Sequence, residues 1–410
     1  MSQIERVGSS VVFLAVSLVM MRGAVFGSFL MASVAGAGPE AAFALESVGC
    51  SLAQVETSPD TAIEPCSKII VEETTSAADR GYALFIRGMG YHNTKRFDLA
   101  RQDYDAAIGL TPENEELFVA RANIAFRGGR QEEGVSFLQK ALALNPSNGH
   151  ALRTIGAKLE TSGHREQANR YYAMALAADP KDAYALIFRS RNNTEQRQFD
   201  EALKDADVLV SMPPADINRQ GYLDYKGDRL DFHVLALENR ARVYDGLRQP
   251  ERVDQDLNAA VAYNRSALSL AVRGKFLAYK DGREREALSD LDDAISLGSV
   301  DTDAFYAKGV VHMRLRKAQD ALAAFDGALK LAPHFGLALR MRATVYRELD
   351  QTDLAVADTL HAVAVSPAER RGTMHALSRA GYWRSSEDLT ELTPAFEDAV
   401  RACMLDKYCN

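Results

Sequence analysis

Prolines at 112, 146, 180 and 214 are evenly spaced, and Pro333 and Pro367 stand the same distance apart. A fixed period of this kind constrains the fold more than composition does. Each period is one supersecondary unit, and such units bury their apolar faces only by stacking on one another. Small residues recur at one offset before the prolines: Gly88, Ala122, Gly156 and Ser190, then Ala241, Gly274, Gly309 and Ala343. A second small series, Ala100, Gly134, Ala168, Ala202, Ala287, Ala321 and Ala355, is broken by Val253. Together they predict two helices per period that cross closely. Tyr104, Leu138, Tyr172, Leu257, Leu291 and Phe325 are expected to fill the space against the following unit. Proline after the second helix ends it, because proline has no N–H to donate.

These offsets, held from residue 81 to residue 369, resemble those of tetratricopeptide repeats. The resemblance implies an all-α fold, an α-solenoid of about eight helix–turn–helix repeats. It also implies a right-handed superhelix whose first helices line a concave groove. Repeats 1–4 are placed at 81–215, with units 81–114, 115–148, 149–182 and 183–215. Repeats 5–8 are placed at 234–369, with units 234–266, 267–301, 302–335 and 336–369. Between the two blocks, 216–233 is an insertion, since surplus residues follow Pro214 before the period resumes. A lengthened connection is the simpler expectation for it, and a ligand-contacting loop the other.

The two ends differ from the middle. Val11–Met21 is apolar except for Ser17, a second such run spans Gly23–Ala37, and Ala42-Phe43-Ala44 has small residues where a signal peptidase needs them. The expectation is a signal peptide over 1–44, cut after Ala44, and a periplasmic or secreted protein. The competing reading is a retained membrane anchor, against which Arg22 near its centre would cost about 2.5–3.5 kcal/mol. The cysteines, Cys50, Cys66, Cys403 and Cys409, all lie near the ends, and four cysteines allow three pairings. Local pairing is expected, giving disulfide-stapled ends: an N-terminal capping helix within 45–80 and a C-terminal helical cap at 370–410. Ser58 or Asp60 is the expected helix cap in the leader, which looks like that of exported bacterial tetratricopeptide proteins. Ser47-Val48-Gly49-Cys50 loosely resembles a lipoprotein box, so a lipid-anchored assembly factor is one alternative. The segment around Gly381-Tyr382-Trp383 faintly resembles a peptidoglycan-binding-like module without its Asp-Gly turn, so cell-envelope association is another.

Function is constrained mostly by exclusion. With 48 Lys+Arg against 56 Asp+Glu, the net charge of −8 disfavours nucleic-acid binding, whose affinity comes from neutralised phosphates. The 8 histidines show no close-spaced metal grouping, and no phosphate-cradling or nucleophile-elbow motif occurs. No enzyme activity, cofactor or metal is therefore expected. A cation precedes the first small residue in most units: Arg87, Arg121, Arg189, Arg240, Arg273, Lys308 and Arg342, with Ile155 breaking the series. The series could line an anion-binding groove, but ion pairing with second-helix aspartates such as Asp103, Asp105, Asp205, Asp207, Asp290 and Asp292 explains it more simply. The expected function is a scaffold that holds a protein or peptide in its groove. From the repeat register, Tyr82, Phe85, Met89, Val119, Asn123, Phe126 and Arg153 should face that groove in the early units. Ile187, Arg191, Glu238, Arg242, Lys275 and Tyr279 continue the set, and Tyr306, Met313, Arg340 and Arg347 complete it. Nothing in the sequence sets the oligomeric state.

Overall fold

A computed structural model of the protein describes residues 49–219, 231–299, 301–383 and 393–406. The expected signal peptide, Cys409 and residues 220–230 of the insertion lie outside the described residues. The described residues are mostly helical, with no strand among them. The chain divides into two compact units, one ending at Ala178 and the other beginning at Asp179.

The first unit opens with a leader. Ser51 accepts the Gln54 N–H and caps α1 (Leu52–Thr57); a 3-10 turn (Pro59–Ala62) and α2 (Ile63–Val71) follow. Ser58 makes no side-chain cap, and Asp60 sits inside the 3-10 turn paired with Arg96, so the expected capping positions are displaced to Ser51. Cys50 and Cys66 are joined by a disulfide. Val55, Ala62 and Cys66 share one buried cluster with Ile86, Tyr104 and Leu117, so the leader extends the core of the first hairpin. That hairpin is α3 (Ala77–Asn93) and α4 (Phe97–Leu110). The next two are α5 (Glu115–Arg127) with α6 (Gln131–Leu144), and α7 (Gly149–Thr161) with α8 (Arg165–Ala178).

The second unit continues with hairpins α9 (Ala183–Glu195) and α10 (Phe199–Ser211), then, after the short α11 (Pro214–Arg219), α12 (Phe232–Gly246) and α13 (Pro250–Tyr263). Three more follow: α14 (Ala267–Leu277) with α15 (Glu284–Ser296), α16 (Thr302–Arg314) with α17 (Ala318–Leu331), and α18 (Gly336–Glu348) with α19 (Thr352–Val365). Two last helices, α20 (Pro367–Arg379) and α21 (Pro394–Leu405), close the chain. Phe396 and Val400 of α21 are buried with Val356 and Val363 of α19, and Trp383 lies edge-on to Phe396 with ring centres 5.2 Å apart. Tyr382 donates its hydroxyl to Asp406 at 2.7 Å. Cys403 is disulfide-bonded.

The period has a local cause at each end of a hairpin. Asn114, Asn148 and Asp182, which follow Pro112, Pro146 and Pro180 closely, cap the next first helix by accepting a backbone N–H. Within a hairpin, the turn contains a residue with positive φ: Lys95, Gly129, Gly163 and Arg197, then Arg248, Gly282, Arg316 and Asp350. Glycines in the small first-helix position sit under a large second-helix residue. A Cβ added to Gly88, Gly156 or Gly309 would stand 2.6, 2.5 or 2.4 Å from the ring of Tyr104, Tyr172 or Phe325. These rings therefore fill the crossing of their own hairpin. As expected, they also reach the following unit: Tyr104 shares a buried cluster with Leu117 and Ile124, and Phe325 with Ala338 and Leu339.

The described edges of the insertion are helical. Helix α11 takes up its start, burying Ile217 completely, and α12 begins at Phe232, just ahead of the expected boundary at 234. Asn218 accepts the His233 N–H at 3.0 Å and donates to the Tyr263 hydroxyl at 3.2 Å, which ties α11 to the next hairpin.

Candidate functional site

The cation series resolves into a ladder inside the fold. Arg87, Arg189, Arg240 and Arg342 each form a two-nitrogen fork on an aspartate 16 residues later: Asp103, Asp205, Asp256 and Asp358. Arg273 reaches Asp290, 17 residues on, which absorbs the one extra residue of that unit. Several of these cations also reach back to the preceding hairpin. Arg342 pairs with Asp326 of α17 and Lys308 with Asp292 of α15. Arg240 pairs with Asp207 of α10, so this contact is kept across the insertion. The aspartates hold the Arg87, Arg189, Arg240, Arg273 and Arg342 guanidiniums above their ordinary pKa, against the opposing effect of burial. Beneath three of the rungs lies a tyrosine ring one helical turn on, with Arg87, Arg240 and Arg342 centred 5.7, 5.8 and 5.7 Å from Tyr91, Tyr244 and Tyr346.

The exceptions obey the same logic. Arg121 faces Phe137 where others face aspartate; its guanidinium stacks 4.9 Å from that ring and pairs with Asp105 and Glu133. In the α7/α8 hairpin Ile155 replaces the cation, and Tyr171 occupies the second-helix position that aspartate holds in the forked hairpins. Cation and anion are exchanged together. The series is engaged in holding hairpins together, which accounts for it without an anion-binding groove.

First-helix side chains form a continuous strip in the second unit, where α12, α14, α16, α18 and α20 touch in succession. Arg242 on α12, half-exposed, pairs with Glu238 at 2.6 Å and lies over Phe276 of α14, 5.3 Å from the ring centre. Lys275 of α14 reaches Asp301, the cap of α16, at 2.7 Å. Tyr306 of α16 meets Phe335 edge-on at 5.4 Å, and Arg340 of α18 pairs with Glu369 of α20 at 2.8 Å. Tyr279, just past α14, is 58% exposed, a high value for a tyrosine in a packed array. Met313 and Arg347 are partly exposed, as are Ile187 and Arg191 of α9, where Arg191 lies 4.9 Å from the Phe188 ring. The strip mixes aromatic faces, cations and their carboxylates.

In the first unit Met89, Asn123 and Arg153 are partly exposed. Tyr82, Phe85, Val119 and Phe126 are buried, between 4% and 8% exposed, so they pack the fold and present little side-chain surface to a partner. Lys158 of α7 sits 4.4 Å from the Phe126 ring, and Glu116 accepts from Asn148 and contacts His150, each at 2.7 Å. A cleft of about 250 Å³ lies elsewhere in this unit, lined by Phe97, Asp98, Arg101, Ile124, Arg127, Gly128 and Arg130. Arg127 stacks over Phe97, and burial together with Arg127 holds the neighbouring His92 down to about 4. The cleft lining contains no hydroxyl or thiol nucleophile.

Two features escape the sequence reading. One is the positive-φ turn residue, which recurs with the repeat in each block and could have been found from the glycines at 129 and 163. The other is the approach of His334 to His361, for which a separation of 27 residues gives no signal.

Comparison with known proteins agrees with the geometry. A family model described as tetratricopeptide repeat matches residues 78–149, 277–334 and 306–369. Over 243 residues, 58% of the chain, the sequence is 27% identical to the human Tetratricopeptide repeat protein 6, and the match spans 43% of that relative's length. Among solved structures, a tetratricopeptide repeat protein from Parabacteroides merdae superposes with a TM-score of 0.51 at 16% identity, covering 65% of this chain and 98% of that one. Yeast Tom70 gives 0.54 at 15% identity, covering 75% and 64%. At such identities the likeness concerns the fold.

Proposed function

This chain is a tetratricopeptide-repeat protein, and from that premise we propose that it is a non-enzymatic scaffold that binds a protein or peptide along its first helices. The fold suits protein–protein interaction, because stacked hairpins present long faces of side chains on a rigid frame. The observation that carries the reading is the strip from Arg242 to Arg340, with exposed Tyr279 within it. Aromatic residues and arginine are the side chains that dominate binding energy at protein interfaces. The ladder cations are committed to internal aspartates, so the strip and not the ladder is the recognition surface.

The location proposed is outside the cytoplasm. The apolar runs before Ala44, the A-x-A site and the Cys50–Cys66 bond support it, since disulfides persist in oxidising compartments. With its sulfur committed to Cys66, Cys50 is a poor candidate for lipidation.

A photo-crosslinking residue at Tyr279 tests the binding face. It should trap a discrete partner in the native host, and Arg242→Glu with Arg340→Glu should abolish the adduct. The same probe at exposed Leu144 of α6 should trap nothing. Adducts from Leu144 alone would move the site off the proposed strip. Intact mass and fractionation of the mature protein test the location, with cleavage after Ala44 expected.

A further inference from the structure

His334 stands in the turn between α17 and α18, and His361 lies on α19 of the same hairpin stack. Nδ1 of His334 and Nε2 of His361 are 3.2 Å apart, and the rings are nearly perpendicular with centres 5.5 Å apart. His334 is exposed and His361 partly so. A nitrogen–nitrogen approach of this length has two physical readings. One is an N–H···N hydrogen bond, which at an exposed site competes with water and contributes little. The other is the bite of a chelate. Two imidazole nitrogens, each about 2.0–2.1 Å from one tetrahedral cation, are separated by about 3.3 Å.

The surroundings hold this spacing in place. Phe335, next to His334, packs into the α17/α18 core and against Tyr306, and its N–H bonds to the Ala332 carbonyl at 3.0 Å. One turn before His361, Asp358 is fixed in the Arg342 fork. Both ligands therefore stand on anchored backbone, and a cation would bind without reorganising the hairpins.

We propose that His334 and His361 form a surface site for a borderline divalent transition-metal cation, with zinc as the reference ion. No third His, Cys, Asp or Glu completes a cluster among the described residues, so water fills the remaining positions. A pair of imidazoles favours zinc or copper over magnesium and calcium, which prefer oxygen ligands. The open positions leave the bound cation free to take a carboxylate or imidazole from another molecule.

Calorimetric titration of the tag-free mature protein with zinc chloride at pH 7.5 tests this. One saturable site is expected, and magnesium should give no heat. His334→Ala and His361→Ala should each weaken zinc binding by at least about tenfold, and the double variant should be no weaker than the worse single one, because a chelate lost once is lost. His150→Ala should leave binding unchanged, and unaltered far-ultraviolet circular dichroism would show that the exposed substitutions preserve the fold. Absence of saturable binding, or zinc affinity unchanged in both single variants, would overturn the proposal and leave only a hydrogen-bonded pair.

Discussion

The α7/α8 and α18/α19 hairpins solve the same packing problem with different chemistry. Both place a small first-helix residue, Gly156 or Ala343, one position after the ladder site. In α18/α19 that site is Arg342, forked on Asp358 and reaching back to Asp326. In α7/α8 it is Ile155, with Tyr171 where the aspartate would be. The hairpin forms either way. Steric fit at the crossing therefore sets the fold, and the ionic rungs are laid over it as a second, replaceable layer. That fits the general finding that a partly buried ion pair can be exchanged for apolar groups, whereas removing one partner leaves a stranded charge.

Attacking the steric layer should have the largest effect. Gly309→Leu forces a side chain into the Phe325 ring, and urea unfolding followed by circular dichroism should show a loss of about 3 kcal/mol. Asp358→Ala attacks the ionic layer, stranding the Arg342 fork; a loss of about 2 kcal/mol is expected. Arg342→Ile with Asp358→Tyr, which copies the α7/α8 pair, should cost less than Asp358→Ala alone. A double variant worse than the single would mean that the layers are not separable.

In the first unit His92 is held to about 4 in the fold against 6.5 ordinarily, mainly by burial and secondarily by Arg127. The folded state therefore resists protonation. Its contribution is complete above pH 6.5 and is lost as pH falls toward about 4, roughly 1–2 kcal/mol of it by pH 5. Replacing His92 with Leu should flatten that part of the stability profile relative to wild type; identical profiles would count against the assignment. The smallest effect is expected at the turns. Arg197 holds φ at 60°, and Arg197→Gly should gain about 0.5 kcal/mol by relieving a conformation that side chains disfavour.

The helical hairpins were legible because their causes are periodic: proline, small residue and large partner recur at offsets that a single chain displays. The ladder was legible for the same reason, since its cations recur at one register and aspartates are plentiful on the second helices. The binding face was only partly so. Tyr82, Phe85, Val119 and Phe126 fall in the groove register yet are buried, because register sets the direction of a side chain while neighbouring helices decide how much of it stays uncovered. The capping role of Ser51 in place of Ser58 is likewise local, decided by which hydroxyl reaches a free N–H of the first turn. His334 and His361 meet only through tertiary packing, and no offset encodes them.

The two-armed arginines carry one more consequence. Arg342 and Arg240 each grip their own hairpin and the one before it. In a linear array, melting spreads from a frayed end one module at a time, and the coupling between neighbours decides how far the front travels. Wherever a guanidinium spans a junction, peeling one module away leaves its neighbour with an unneutralised carboxylate. Added salt should therefore shorten the distance over which modules melt together while leaving each module's own core almost untouched.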